Sequence, residues 1–360
     1  MESELLLNLA YKSNHYTRPK STTDMKKALL LLSLLAIFNS VFAQNDTETF
    51  PILRGPYMGQ KLPGLNPEIF APNIISNGLA NRDVAISPDG KEMYFTLHTA
   101  KFQYATIVYS KLVKGTWTKP EIVPFARDSR YKYLEPAFSY DGKKLFFVSD
   151  QPKDDSGKAE DIWVVDRKQD SWGEPYNLGA PVNFEGGDFY PSLTKDGTLY
   201  FTRDELEGQI SNIYRSRLVD GKYTTPQKLP SQINCGTNRF NAYVSPDESF
   251  VVVPAIGVEE GFRGVHYYIV FRNDDDSWQE PLPLSSKINT ARGTGWSFYI
   301  SPDKKYIFFM ATKPFPKEKQ PKNLSLDFLH QFSLMPQNGN SDIYWVDAKI
   351  LEDLKPQTKK

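Results

Sequence analysis

Acidic, basic and aromatic side chains recur in this 360-residue sequence at fixed distances before a repeated turn. The turn aspartates are Asp89, Asp141, Asp196, Asp247 and Asp303. Six residues before them stand Asp83, Glu135, Tyr190, Asn241 and Ser297. Eight before stand Asn81, Tyr133, Asp188, Arg239 and Gly295, with Arg82, Phe189 and Trp296 in between. Carboxylates, amides, a guanidinium and aromatic rings converging from successive repeats are what a pocket for a polar ligand or a partner's loop requires. The residues expected to form it, at the mouth of a channel, are Arg82, Asp83, Tyr133, Glu135, Asp188, Tyr190, Arg239, Asn241 and Trp296. The plainer reading is that they only solvate and pin that mouth.

Catalysis is the other chemistry open to this set. Glycoside hydrolysis needs a positioned acid and base, and Asp83, Glu135 and Asp188 could converge to supply them. The repeat alone accounts for a polar residue at these positions, however, and nothing marks one carboxylate out, so no catalytic residue is assigned. No Gly-rich phosphate loop, Ser-His-Asp order or Cys-x-x-Cys pair occurs. Asp274-Asp275-Asp276 and Asp154-Asp155 lack the alternating spacing of a calcium loop. No cofactor or metal is expected.

The elements that would position these residues follow from the turns. Ser87-Pro88-Asp89-Gly90 recurs as Ser139-Tyr140-Asp141-Gly142, Thr194-Lys195-Asp196-Gly197, Ser245-Pro246-Asp247-Glu248 and Ser301-Pro302-Asp303-Lys304. Proline presets φ, aspartate caps the turn and glycine accepts positive φ, so each copy predicts a β-hairpin between two apolar strands. Glu248 and Lys304 in the glycine position imply turns that differ or are strained. A third strand is marked by segments such as Asp161-Ile162-Trp163 and Asp342-Ile343-Tyr344-Trp345. A fourth is marked by Trp117-x-x-Pro120, Trp172-x-x-Pro175, Tyr223-x-x-Pro226 and Trp278-x-x-Pro281, where proline confines it to an edge.

The turn aspartates lie 52, 55, 51 and 56 residues apart, so the repeat is a four-stranded unit of roughly fifty residues, the signature of a radial array. The fold expected is an all-β propeller of five four-stranded blades, with six as the alternative. The fifth copy lacks its fourth strand, and Pro67-Glu68-Ile69-Phe70-Ala71-Pro72 resembles Pro120-Glu121-Ile122-Val123-Pro124. This N-terminal piece is expected to close the ring and hide the sheet edges.

The Ser-Pro-Asp-Gly-Lys and Asp-Ile-Tyr/Trp anchors resemble those of WD40-like, PD40-type repeat proteins of bacterial envelopes, in the TolB-like propeller superfamily, over residues 62–350. The resemblance implies the propeller and says nothing of activity. TolB-like proteins usually add an N-terminal domain and a sixth blade, and neither is visible here. Pectate-type propeller lyases resemble the same repeats and rely on a histidine-rich metal site. His98, His266 and His330 share no repeat position, so such a site is not expected.

Composition sets the remaining bounds. With 43 basic and 43 acidic residues the net charge is zero, which gives no electrostatic reason to expect nucleic acid or an anionic membrane as partner. The single cysteine, Cys235, rules out an internal disulfide. Met25–Ala43 reads as a secretory signal, with Lys26-Lys27, an apolar run too short to span a bilayer, and Val41-Phe42-Ala43 at the cleavage site. Translation is read as starting at Met25.

The expected organisation is an upstream extension plus signal over 1–43, a lead-in over 44–61, one propeller over 62–354 and a tail over 355–360. An insertion spans 313–340, with an approximate helical stripe at Leu324, Phe328, Leu329, Phe332 and Met335. The functional expectation is an exported, periplasmic or secreted, non-catalytic module without a transmembrane segment after signal cleavage. It would bind or scaffold an envelope protein, peptide or glycan at the channel mouth. The alternative is a carbohydrate-active hydrolase or lyase using the mouth carboxylates.

Overall fold

The computed structural model describes residues 50–152, 160–169, 171–184, 186–205, 210–290 and 295–354. The signal segment, the tail and Asp154-Asp155 lie outside them. Among the described residues no helix is long and apolar enough to cross a membrane.

Five antiparallel sheets form a five-bladed β-propeller. Blade 1 runs Ala80–Ile86, Glu92–His98, Ala105–Val113 and Glu121–Ile122 from inner to outer strand. Blades 2 and 3 repeat the order from Tyr133–Phe138 and Asp188–Leu193. In blade 4 the inner strand is split into Asn238–Arg239 and Tyr243–Val244, both paired with Phe250–Ile256. Blade 5 is Phe298–Ile300, Tyr306–Ala311 and Asp342–Asp347, and its outer strand is Glu68–Ile69.

That last pairing joins the two ends of the ring. Glu68 opposes Trp345 and Ile69 opposes Tyr344, and the Phe70 N–H donates to Ile343 O at 2.8 Å. Phe70 is fully buried, edge-on to both Phe308 and Trp345. The segment before it adds a contact that the repeat pattern does not announce. The Trp117 N–H donates to Leu53 O at 2.9 Å and its indole Nε1 to Gly55 O at 2.7 Å, so the lead-in packs on blade 1.

The repeated turns are built as their residues dictate. Ser87 Oγ donates to Asp89 Oδ1, which also accepts from the Lys91 N–H, while the Glu92 N–H donates to Ser87 Oγ. The same pattern recurs around Asp141 and Asp303. Gly90, Gly142 and Gly197 have φ of 72°, 70° and 85°, and Glu248 and Lys304 adopt the same region at 54° and 59°. The two turns without glycine are therefore of the same kind and carry backbone strain.

Five apolar clusters lie between neighbouring blades. Tyr94, Phe147 and Trp163 fill the junction of blades 1 and 2, and Phe70, Phe308 and Trp345 that of blades 5 and 1. The insertion forms the helix Leu326–Ser333, N-capped by Ser325 Oγ. Its Phe328 and Phe332 rings pack on Phe315. Asn338 and Asn340 side-chain amides donate to Gly78 O, docking it beside the start of blade 1.

Candidate functional site

The start of the inner strands does not keep the regular alternation of a strand. Strand alternation puts neighbours on opposite faces, and a bulge then breaks the alternation. The register shifts between Arg82 and Ala85, between Leu134 and Ala137 and between Phe189 and Ser192. At the bulge Asp83, Glu135, Tyr190 and Asn241 have φ of 57°, 56°, 52° and 52°. All four are buried, as is Ser297. The left-handed residue of blades 1 to 4 costs backbone energy in each and aims these side chains at the axis.

Glu135 is the hub of that axis. Its Oε1 accepts from Arg82 Nη2 of blade 1 at 2.6 Å and from Asn241 Nδ2 of blade 4 at 3.3 Å. Its Oε2 accepts from the Tyr190 N–H of blade 3 at 2.7 Å. Blade 5 is tied in separately: the Asp83 N–H donates to Ser297 Oγ and Tyr190 OH donates to Phe298 O. Arg82 Nε stands 2.6 Å from Asp83 Oδ2. One guanidinium thus serves two buried carboxylates.

The electrostatics follow from that count. Burial works against the Arg82 charge, but Asp83 and Glu135 outweigh it and hold the guanidinium protonated above its usual range. Burial pushes the Glu135 carboxyl up to about 8, with Asp83 adding to the shift and Arg82 opposing it. Both directions are consistent, because two carboxylates buried beside one cation favour one of them keeping its proton. Both Glu135 oxygens have partners, so the upward shift is owed to burial and the second carboxylate.

This cluster forms a floor across the channel. On the side of the connections between second and third strands a cavity of 400 Å³ is lined by Arg82, Glu135 and Asn241 from the floor. Its walls include Phe102, Lys132, Glu160, Phe240 and Trp296. Trp296 is 40% exposed and stands edge-on to Phe240 with centroids 5.4 Å apart. The Arg82 guanidinium lies 6.0 Å from the Phe102 ring centroid. Glu160 is exposed at the rim, and the upward push on its carboxyl from desolvation is correspondingly softened by solvent.

The sequence-predicted residues divide three ways. Arg82, Asp83, Glu135, Tyr190 and Asn241 meet at the axis, and Trp296 lines the mouth. The positions two before the bulge turn away from the axis instead. Tyr133 is 2% exposed and packs toward Phe147. Asp188 accepts from Arg203 Nε and the Phe184 N–H, and burial pushes its carboxyl up to about 6. Arg239 donates to Cys235 O, Ser211 O, Gly236 O and Asn212 Oδ1. Tyr133 and Arg239 thus serve the contacts between neighbouring blades, Asp188 braces its own blade, and none of the three lines the mouth cavity or the axial cavity on the far side of the floor.

Counting seven back from each turn aspartate would have found Phe240 and Leu134 with Arg82, Phe189 and Trp296, since all five line the mouth. Phe102, Lys132 and Glu160 come from connections that share no repeat position. Among the described residues no group of three or more His, Cys, Asp or Glu side chains could hold a metal.

No protein-family model and no curated protein matches the sequence. Solved structures do. A glycoside hydrolase matches at 10% identity and TM-score 0.46, over 84% of this chain and 95% of its own. The oligogalacturonate lyase of Vibrio parahaemolyticus matches at 12% identity and TM-score 0.37, over 73% and 64%. A prolyl endopeptidase matches at 17% identity and TM-score 0.34, over 66% of this chain. The chain spans 33% of that endopeptidase's length. At such identities the likeness is one of chain path, not of side chains.

Proposed function

We propose that the protein binds a polar, ring-bearing ligand, a glycan chain, in the mouth cavity and does no chemistry on it. The observation that carries this reading is the exposed Trp296 beside Phe240 above a charged floor. An aromatic platform takes the apolar face of a sugar ring, and Arg82, Lys132 and Glu160 offer groups for its hydroxyls. Glu135 supports the non-catalytic reading, because its carboxylate is occupied in linking four blades. The Ser-Pro-Asp-Gly-Lys turns support a relation to WD40-like, TolB-type envelope propellers. The Met25–Ala43 sequence supports export to the periplasm or beyond.

A glycan array followed by titration calorimetry tests the reading. Binding should fall about tenfold in Trp296→Ala, the loss expected of an aromatic stacking partner. An array without any binder, or binding indifferent to Trp296→Ala, would discard it.

One observation favours hydrolysis or lyase chemistry instead. Glu135 lines the mouth with a carboxyl pushed up to about 8, the protonation a general acid needs near neutral pH. Turnover of a polysaccharide by the wild type, abolished by Glu135→Gln in a folded variant, would establish that reading.

A further inference from the structure

On the far side of the Arg82–Asp83–Glu135 floor lies a second cavity, of 240 Å³, that the mouth reading does not use. It opens among the Ser-Pro-Asp turns, with Pro88, Pro246 and Pro302 at its rim. Its walls are aromatic: Phe138, Tyr140, Tyr190, Tyr243, Phe298 and Tyr299. These rings do not lie in one plane. Tyr243 meets Phe298 at 60° and Tyr299 at 82°, with centroids 5.8 and 6.1 Å apart, so they enclose the space from several directions.

At its inner end stands Asp83, whose side chain is 2% exposed. Asp83 Oδ2 faces Arg82 Nε, while Oδ1 has no hydrogen-bond partner among the described residues. A buried carboxylate oxygen without a donor costs more than a lost hydrogen bond, and such groups call for a ligand or an ion. The cation in the floor, Arg82, is shared between Asp83 and Glu135, and it reaches Asp83 only through Oδ2. At the outer rim Lys304 is 70% exposed and faces Asp247, and Lys195 Nζ lies 5.8 Å from the Tyr140 ring centroid.

We propose that this cavity binds a protonated amine carried on an apolar body. The ammonium would donate to Asp83 Oδ1, and the body would lie among the rings, which also attract a cation through their faces. The mouth opens on the opposite side of the floor, and Glu135 is the residue that lines both cavities.

Calorimetric titration of the whole protein with benzylammonium and with its neutral counterpart benzyl alcohol tests the proposal. Benzylammonium should bind about tenfold more tightly, the discrimination one charge-assisted contact gives. Asp83→Asn should bring the two ligands level. Asparagine tolerates the left-handed backbone at this position, so the variant keeps the bulge. Tyr140→Ala, which removes a half-exposed ring at the rim and leaves the floor intact, should weaken benzylammonium severalfold. Equal binding of the two ligands to the wild type, no binding of either, or benzylammonium binding unchanged in both variants would overturn the proposal.

Discussion

The Tyr190 N–H donates to Glu135 Oε2 at 2.7 Å, and the reason lies in Val148. At the junction of blades 1 and 2 the corresponding N–H, of Glu135, donates to Thr96 Oγ1, and at that of blades 3 and 4 the Asn241 N–H donates to Thr202 Oγ1. Arg82 opposes Thr96, Leu134 opposes Val148 and Phe189 opposes Thr202, so the three positions are equivalent. Valine has no hydroxyl, and the Glu135 carboxylate takes its place. Between blades 5 and 1 Ser297 Oγ does the same for Asp83.

A thermodynamic coupling between Glu135 and position 148 follows. Glu135→Ala should cost about 2–4 kcal/mol, because it leaves the buried donors of Arg82, Tyr190 and Asn241 without their acceptor. In a Val148→Thr background the new hydroxyl can accept from Tyr190, and about 1 kcal/mol of that loss should return. Urea denaturation of the four proteins of the cycle measures this. Strict additivity would mean that the introduced hydroxyl does not reach the amide.

Ring closure by the N-terminal strand gives a second expectation. Phe70 is fully buried between Phe308 and Trp345, far from both cavities in the contacts it makes. Phe70→Ala should destabilise the protein by about 3–5 kcal/mol, the usual range for a buried aromatic. Trp345 fluorescence should report the loss, because its ring is packed on Phe70. A change below about 1 kcal/mol, the scale of a surface substitution, would show that blade 5 holds without its borrowed strand.

The closure itself was legible in the sequence, because Pro67–Pro72 repeats the chemistry of Pro120–Pro124. So were the five turns, whose Ser, Asp and Gly are local in their effect. The direction of individual side chains was not. Counting back from the aspartates placed Tyr133, Asp188 and Arg239 at the mouth together with Arg82 and Glu135. Strand alternation turns the first group away from the axis, and only the bulge lets two successive residues, Arg82 and Asp83, both face the channel. A bulge made by Asp, Glu, Tyr and Asn at positive φ leaves no glycine to betray it. The walls contributed by Phe102, Lys132 and Glu160 depend on connections whose lengths differ from blade to blade.

The titrations predict an unusual pH profile of stability. Burial raises Glu135 to about 8 and both Asp188 and Asp342 to about 6. Each folded-state value lies above the unfolded one, so the folded protein binds these protons more readily. Their contribution is complete at acid pH and is lost as pH rises through about 6 and then about 8. The turn aspartates act oppositely. Desolvation of Asp89, Asp141 and Asp303 is outweighed by the serine hydroxyl and a backbone N–H, which lower them. Their stabilisation is present above the ordinary carboxylate range and fails below it. The denaturation midpoint should therefore peak on the acid side of neutrality. Glu135→Gln should flatten the decline between pH 6 and 8, a range set by the shifts just given, and Asp188→Asn the decline below it. A midpoint that rises through this range would contradict the upward shifts of the buried carboxyls.

The two turns without glycine separate backbone strain from side-chain bonding. Lys304 has φ of 59° and an exposed side chain, and its contact with Asp247 spans 3.8 Å between exposed groups. Glu248 has φ of 54°, but its carboxylate accepts from Tyr200 OH and Arg272 Nη1 and is buried. Glycine relieves left-handed strain of about 1–2 kcal/mol at either position and gives part of it back through the entropy of the unfolded chain. Lys304→Gly should therefore be neutral or stabilising by up to about 1 kcal/mol, since an exposed pair contributes little. Glu248→Gly should destabilise by about 2–4 kcal/mol, because the same relief is set against the loss of two partners and leaves Arg272 without its nearest buried anion. Chemical denaturation of both variants decides the matter. If the two changed stability alike, the network around Glu248 would not be what holds that turn in its strained conformation.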